Sequence, residues 1–133
     1  MHLIFCVDDK DGILFCGRRL SRDSKVAEHI LSMTSGATLW MSLYSGKLFP
    51  KDRVITDVDF QKKAKAGDYC FLEELPLPET CEYRESVTLY HWNRSYPATV
   101  RFPRMMLENM HLVSTEEFPG SSHEKIIVER YTL

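Results

Sequence analysis

Uninterrupted apolar runs predict the central strands of this chain. Residues 3–7 (Leu-Ile-Phe-Cys-Val) are apolar at every position, which is typical of a strand buried on both faces. Residues 8–12 are polar and end in a glycine, which predicts a turn, and the apolar run 13–16 predicts a second strand. Shorter apolar runs predict strands over 37–41, 53–55 and 69–72.

Residues 86–92 form the strongest strand pattern in the sequence. Positions 87, 89 and 91 would face one side of a sheet, and positions 88, 90 and 92 the other. Tyr90 and Trp92 are therefore expected on the same face.

A repeat of about 3.6 residues predicts one long helix over residues 21–35. Val26 and Ile30 belong to its apolar stripe. Ser21 is the expected N-cap, and Asp23 should lie in the first turn, where the helix dipole favours an acid. Shorter helices are expected over 42–49 and from Asp57 or Asp59 to Lys65.

The end of the chain predicts a β-hairpin. Two predicted strands, 111–118 and 125–131, are joined by Pro119-Gly120-Ser121-Ser122 and should pair antiparallel. The segments 75–81 and 93–103 are expected to be loops. Strands that alternate with helices and then end in a β pair predict an α/β fold. The expected architecture is a mostly parallel sheet flanked by helices, with antiparallel C-terminal strands, in a single domain over residues 1–133.

Composition and charge narrow the choice of partners. The chain is 44% hydrophobic and has 17 basic and 19 acidic residues, with a net charge of −2. Without a basic excess or stripe, nucleic acid is not an expected partner. No apolar run approaches the roughly 18 residues of a membrane span, and the apolar start lacks the basic segment of a signal peptide. We therefore expect no membrane partner.

The four cysteines favour a cytoplasmic location. They show no CxxC spacing, and two of them lie inside apolar runs, as buried reduced thiols do. The four are Cys6, Cys16, Cys70 and Cys81.

Motifs for catalysis, metals and phosphates are missing from the sequence. The five histidines form neither HxH nor HExxH, and neither GxGxxG nor GxxxxGK[ST] occurs. The turn at 8–12 fails as a calcium loop because Val7 and Arg18 would be its first and twelfth ligands. No cofactor and no metal are predicted. No serine, histidine and acid cluster along the chain, although the fold could assemble such a triad from distant segments.

Three pairs of residues are candidate ligand contacts, and each has a plainer alternative. The basic pair before the first helix could bind a carboxylate or phosphate, or be solvated surface. The Ser-Gly-Lys segment near a helix start could bind an anion, or be an ordinary helical turn. The two aromatic residues on strand 86–92 could line a pocket, or belong to the sheet core. In chain order the candidates are Arg18, Arg19, Ser45, Lys47, Tyr90 and Trp92.

The order and spacing of these segments resemble dihydrofolate reductase over nearly the whole chain. That family opens with an apolar strand, an Asp-containing turn and a Gly followed by an apolar pair, as in residues 3–14 here. Leu89-Tyr90-His91-Trp92 is similar to its Leu-Thr-His-Ile strand, and Phe102-Pro103 to its Phe-Pro. Residues 112–118, 122–123 and 128–130 are similar to its last hairpin. The resemblance implies the fold of that family.

The chemistry of that family does not carry over to this sequence. Its Pro-Trp after the first loop is replaced by Ser21-Arg22, and its active-site acid falls near Val26. Its paired glycines, which admit the cofactor pyrophosphate, are replaced by Leu72-Glu73-Glu74, where two acids would repel phosphate. Its strand threonine near the pterin becomes Tyr90, which would partly fill the site.

The chain also resembles a group of small bacterial proteins, some of which carry a ribonuclease Z label. The shared stretches include Gly17-Arg18-Arg19, Gly67-Asp68-Tyr69-Cys70-Phe71 and Trp92-Asn93-Arg94-Ser95-Tyr96-Pro97-Ala98. The HxHxDH motif that ribonuclease Z needs is absent from this sequence.

Three functions follow as hypotheses. The lost cofactor motifs favour a degenerate reductase-like scaffold that acts as a binding or interaction module for a small molecule or a protein. The alternative is an NADPH-dependent oxidoreductase with a rearranged cofactor site built from Arg18, Arg19, Ser45 and Lys47. The remote alternative is a ribonuclease.

Overall fold

The computed structural model describes residues 1–78 and 84–133 of the chain. The strands in the described residues are, in chain order, β1 (His2–Val7), β2 (Gly12–Phe15), β3 (Arg18–Arg19), β4 (Leu39–Met41), β5 (Ile55–Thr56), β6 (Tyr69–Phe71), β7 (Ser86–His91), β8 (Val100–Arg101), β9 (His111–Phe118) and β10 (Ile126–Thr132). The α-helices there are α1 (Ser24–Met33), α2 (Leu43–Gly46) and α3 (Phe60–Lys63), and Arg104–Leu107 form a 3₁₀ turn.

The main sheet has the strand order β5-β4-β6-β1-β7-β10-β9. β1 pairs in parallel with β6 on one side and with β7 on the other, and β4 and β5 continue the parallel part. β10 runs antiparallel between β7 and β9. The predicted fold class, a mostly parallel sheet with antiparallel C-terminal strands, is confirmed, and so is the C-terminal hairpin.

β1 is buried on both faces, as its uninterrupted apolar pattern predicts. Successive side chains of a strand point to opposite faces of the sheet. Leu3, Phe5 and Val7 therefore join one apolar cluster, and Ile4 and Cys6 join the other. The second cluster also contains the buried face of α1, so α1 covers that side of the sheet.

The first helix begins later than the sequence pattern suggests. α1 starts at Ser24, and its N-cap is Asp23 rather than Ser21. A carboxylate oxygen of Asp23 accepts a hydrogen bond from the Lys25 amide at 2.9 Å. The predicted cap was wrong because the Ser21 hydroxyl is engaged elsewhere, with His123 at 3.0 Å.

A second, small sheet has the strand order β3-β2-β8. Its strand β8 lies in the segment 93–103, which the sequence predicts as a loop, and the sequence predicts no strand at β3. Arg18 and Arg19 pair with Phe15 and Leu14. β8 pairs with β2 on its other side. The sequence does not reveal β3 and β8 because a two-residue strand is too short to show an apolar alternation. Their pairing rests on backbone hydrogen bonds, which any residue type can make.

The other predicted elements occur with shifted ends. The strand expected at 53–55 lies at Ile55–Thr56, and the helix expected at 42–49 covers Leu43–Gly46. Cys16 is exposed, against expectation, because it occupies a tight turn with φ 48°. Part of the predicted loop 75–81, including Cys81, lies outside the described residues. No helix within the described ranges is long and apolar enough to cross a membrane.

Candidate ligand-binding site

A cavity of about 360 Å³ lies beside α1, and we call it the α1 cavity. Its apolar wall comes from α1 and from the ends of the sheet strands. Hydroxyl groups of four serines lie around it. The apolar side chains that line it include Val26, Ala27, Ile30, Phe49, Phe71 and Trp92, and the serines are Ser21, Ser24, Ser121 and Ser122.

Of the charged side chains that the structure describes around the α1 cavity, some are paired within the chain and others are not. Two cations, Arg22 and Lys47, line it, and neither is in an ion pair with another described residue. Two carboxylates, Asp23 and Glu73, also line it, and each is held by internal partners. The two cationic side chains are therefore available to bind a ligand, whereas the two carboxylates are not.

Asp23 joins the start of α1 to the turn between β9 and β10. Besides capping α1, its carboxylate accepts hydrogen bonds from the Ser121 and Ser122 amides at 2.9 and 2.8 Å. It also accepts one from His123 Nδ1 at 2.9 Å. A Cβ at Gly120 would collide with this carboxylate, so the close approach requires glycine at that position.

His123 lies at the centre of a polar chain behind the cavity wall. Its Nε2 is 3.0 Å from the Ser21 hydroxyl oxygen and 3.2 Å from that of Tyr96. The Trp92 ring stacks on the imidazole, with centroids 4.7 Å apart and planes at 24°. The side chains of His123 and Asp23 are 1% and 0% exposed, so solvent does not reach the contact between them.

The Asp23 carboxyl is ionised in this arrangement. Burial alone would raise its pKa, but the hydrogen bonds from His123 and from the Ser121 and Ser122 amides hold that pKa well below its usual range. A carboxylate can only accept hydrogen bonds, so Nδ1 of His123 carries the proton. In the neutral ring, Nε2 is then the acceptor for the hydroxyl groups that face it.

A second polar cluster surrounds Glu73, which follows β6 and is buried. The Arg19 guanidinium donates to both carboxylate oxygens, with two contacts at 3.1 Å. Ser45 donates its hydroxyl to the same carboxylate at 2.8 Å. The guanidinium also lies 4.0 Å from the centroid of the Tyr44 ring. Arg19 and Ser45 could have bound an external anion, but the Glu73 carboxylate of the chain already binds to both.

Cys6 lines the α1 cavity as an apolar group. Burial, and then the charge of Glu73, raises the pKa of this thiol well above its usual value. The thiol stays protonated near neutral pH, so it is not an activated nucleophile.

The six residues singled out by sequence fall in four places. Arg18 is exposed on β3, whereas Arg19 and Ser45 meet at Glu73. Lys47 and Trp92 both line the α1 cavity.

Tyr90 is core rather than cavity wall. It is 0% exposed, and its hydroxyl oxygen lies 2.7 Å from His29 Nδ1. His29 in turn contacts Glu116 through Nε2 at 3.0 Å. Burial raises the pKa of the Tyr90 phenol, which therefore stays protonated.

The sequence predictions missed the contacts among Ser21, Asp23 and His123. The two partners of His123 lie 102 and 100 positions away from it in the chain. Ser21 and Asp23 look like ordinary capping residues, and His123 looks like part of a hairpin turn. Only the packing of the turn against the start of α1 brings them together, and no local motif encodes that packing.

Comparison with solved structures supports the fold expected from the sequence resemblance. A dihydrofolate reductase from Enterococcus faecalis, complexed with NADP(H) and RAB-propyl, matches with a TM-score of 0.70 and 11% sequence identity. The match covers 98% of this chain and 94% of that chain. No protein-family model and no curated protein matches the chain. The chain has a dihydrofolate-reductase-like fold, and at this identity the likeness extends to the fold alone.

Metal binding has no geometric basis in the described residues. No group of three or more His, Cys, Asp and Glu side chains there is arranged to hold a metal ion.

Proposed function

We propose that this protein is a binding module that holds a compact organic acid in the α1 cavity. The observation that carries the proposal is the charge pattern of that cavity. Arg22 and Lys47 lie beside an apolar wall, while the nearby carboxylates are already paired within the chain. A cavity of about 360 Å³ is within the size range of small-molecule sites.

The ligand chemistry follows from these walls. The side chains of α1, Phe71 and Trp92 suit an aliphatic or aromatic body. The two cations suit a carboxylate at one end of that body. The surrounding serine hydroxyls can donate to, or accept from, polar groups between the two ends.

An NADPH-dependent oxidoreductase is the alternative, and the Glu73 cluster argues against it. Arg19 and Ser45, two residues of the rearranged cofactor site, already bind the Glu73 carboxylate. Glu74 lies beside it and accepts a hydrogen bond from Ser42 at 2.6 Å. Two carboxylates at this position oppose a pyrophosphate electrostatically. A ribonuclease remains the remote alternative, with no basic stripe in support.

We also propose a cytoplasmic location, because the cysteines show no CxxC spacing. Among the described residues, no disulfide joins Cys6 to Cys16. Thiols stay reduced in the cytosol.

Trp92 provides a direct test of ligand binding. The chain has two tryptophans. The Trp40→Phe variant leaves Trp92, which lines the cavity, as the only tryptophan whose fluorescence is measured. We expect benzoate, 3-phenylpropionate or hexanoate to change its fluorescence saturably. Ala27→Leu should fill the cavity and weaken binding about tenfold or more, whereas Ala66→Leu, at an exposed site, should not.

The charge assignment has its own test in the same assay. Arg22→Gln and Lys47→Gln should each weaken binding of the acid roughly tenfold, since each removes a charge-assisted contact. The neutral amide of the same acid should lose this dependence. If none of the acids saturates, or if Ala27→Leu binds as well as Ala66→Leu does, the proposal is wrong.

A further inference from the structure

We propose that Ser21, His123 and Asp23 form a nucleophilic triad, and that the α1 cavity hydrolyses short carboxylic esters. This inference rests on the proposed function, because the ligand of the cavity becomes the acyl compound on which the triad acts. The Ser21 hydroxyl oxygen is 3.0 Å from Nε2 of His123, and Nδ1 of the same ring is 2.9 Å from the Asp23 carboxylate. A nucleophile, a base and an orienting acid in this order define such a site on any fold.

The proton arrangement suits the base role of His123. The Asp23 carboxylate holds the proton on Nδ1, so Nε2 is left as the acceptor that faces the Ser21 and Tyr96 hydroxyls, with Ser21 the nearer of the two. The Trp92 ring stacked on the imidazole fixes the plane of the ring. The base is therefore oriented before a ligand arrives.

The exposure of the three groups differs in the way that catalysis requires. Ser21 lines the α1 cavity, where a ligand would lie. The side chains of His123 and Asp23 are buried, so the base and its orienting acid are shielded from bulk solvent. Arg22 lines the same cavity, and its guanidinium is the group we assign to the oxyanion of the acyl-transfer intermediate.

The reaction balances with water as the only co-reactant. Oγ of Ser21 attacks the ester carbonyl carbon, and its proton passes to Nε2 of His123. The bond from the acyl carbon to the alcohol oxygen breaks, and the alcohol leaves with that proton. Water then gives a proton to His123 and attacks the acyl-serine. The acyl–Oγ bond breaks, Oγ recovers the proton, and the carboxylic acid is released.

A purely structural role for these residues predicts a different behaviour. The hydrogen bonds of Asp23 also join the turn between β9 and β10 to α1. A substitution at Asp23 therefore changes the stability of the fold whether its role is structural or catalytic. A structural serine, however, reacts no faster than other surface hydroxyls. Reactivity at Ser21 is therefore the decisive readout.

The experiment is covalent labelling of the native protein with an alkyl fluorophosphonate, followed by mass mapping. We expect one adduct at Ser21 and turnover of p-nitrophenyl butyrate. Ser21→Ala should abolish both, and His123→Asn should slow labelling about 100-fold or more, because it removes the general base. Ser35→Ala, at an exposed site beyond the end of α1, is the matched control and should label like the native protein.

Asp23 is a positioning residue, and its test is a pH profile. Asp23→Asn should slow labelling near neutral pH and restore it in alkaline solution, where hydroxide replaces the misoriented imidazole. A loss that is uniform across pH would overturn its role in orienting the base.

Ser21→Cys covers the case in which the His123 variant does not fold. The introduced thiol should react with iodoacetamide at mildly acidic pH faster than the exposed Cys16 of the same molecule. Equal rates at the two sites would overturn the triad, as would the lack of a fluorophosphonate adduct at Ser21. If acids still saturate the Trp92 signal in that event, the binding function stands and only the triad is wrong. If labelling and acid binding both fail, the proposed function is wrong as well.

Discussion

At the scale of single residues, the chain compensates the buried charge of Glu73 with side chains of its own. Glu73 is 6% exposed and would be costly to bury alone, but Arg19 donates hydrogen bonds to both of its carboxylate oxygens and Ser45 donates to one of them. This pairing stabilises the fold and at the same time leaves no free guanidinium for a phosphate at this position.

Loss of one partner of this pair should be strongly destabilising. Arg19→Met leaves the Glu73 carboxylate buried without its cation, so we expect the free energy of unfolding to fall by about 3 kcal/mol in urea. The double variant Arg19→Met with Glu73→Gln should recover most of the loss. Arg18→Met changes an exposed residue and should stay within about 0.5 kcal/mol of the native protein. A single variant as stable as the double one would show that the pair is not a buried charge pair.

The ionised Asp23 carboxyl makes stability depend on pH in a defined direction. Its pKa in the folded protein lies below the value of about 3.9 in the unfolded chain, because the hydrogen bonds from His123 and the turn amides outweigh burial. Its stabilisation is thus complete above the unfolded pKa and is lost as the pH falls from about 5. The urea midpoint should therefore drop more between about pH 7 and pH 3 in the native protein than in Asp23→Asn. Asp52→Asn, an exposed site, should follow the native curve; an Asp23→Asn curve parallel to the native one would contradict this assignment.

At the scale of elements, the turn between β9 and β10 positions the site. The amides of Ser121 and Ser122 and the His123 ring all bond to Asp23 at the start of α1. Gly120 permits this approach because any Cβ there would meet the Asp23 carboxylate.

Gly120→Ala should therefore disturb both the turn and His123. We expect a loss of about 2 kcal/mol in the free energy of unfolding, together with weaker Trp92 fluorescence changes on adding acid. Ser122→Ala keeps the amide that bonds to Asp23 and should lie within about 0.5 kcal/mol of the native protein. Native-like stability of Gly120→Ala would show that the turn does not pack as closely as described.

The elements differ in how well their sequences predict them. β1 is predictable because an uninterrupted apolar run is typical of a strand buried on both faces. β7 is predictable from its β-branched and aromatic residues, and the C-terminal hairpin from the Pro-Gly-Ser-Ser turn between its two strands. β3 and β8 have two residues each and pair through their backbones, so no side-chain pattern marks them. Ser21 looks like a cap because a serine before an apolar stripe usually is one. Its real partner, His123, is visible only once the chain has folded.

At the scale of the whole molecule, a dihydrofolate-reductase-like fold carries a site that differs from the one which the resemblance implies. The order of apolar segments predicts the fold because the sheet needs that order to bury both faces of β1. The α1 cavity was predictable only in part: Lys47 and Trp92 line it, while Tyr90 is core and Arg19 is bound to Glu73. The assignment of ligand contacts depends on which charges pair within the chain, and sequence spacing does not determine that.

We propose that the Glu73 and Glu74 carboxylates exclude a dinucleotide from this fold, at the place where the resemblance to dihydrofolate reductase implies a cofactor pyrophosphate. The most direct test is isothermal titration calorimetry of the native protein with NADPH. We predict no saturable heat up to about 1 mM NADPH, since Arg19 and Ser45 are engaged and Glu73 and Glu74 repel phosphate. Saturable binding with a dissociation constant of roughly 10 μM or below would show that the two carboxylates do not exclude the cofactor, and would restore the reductase hypothesis.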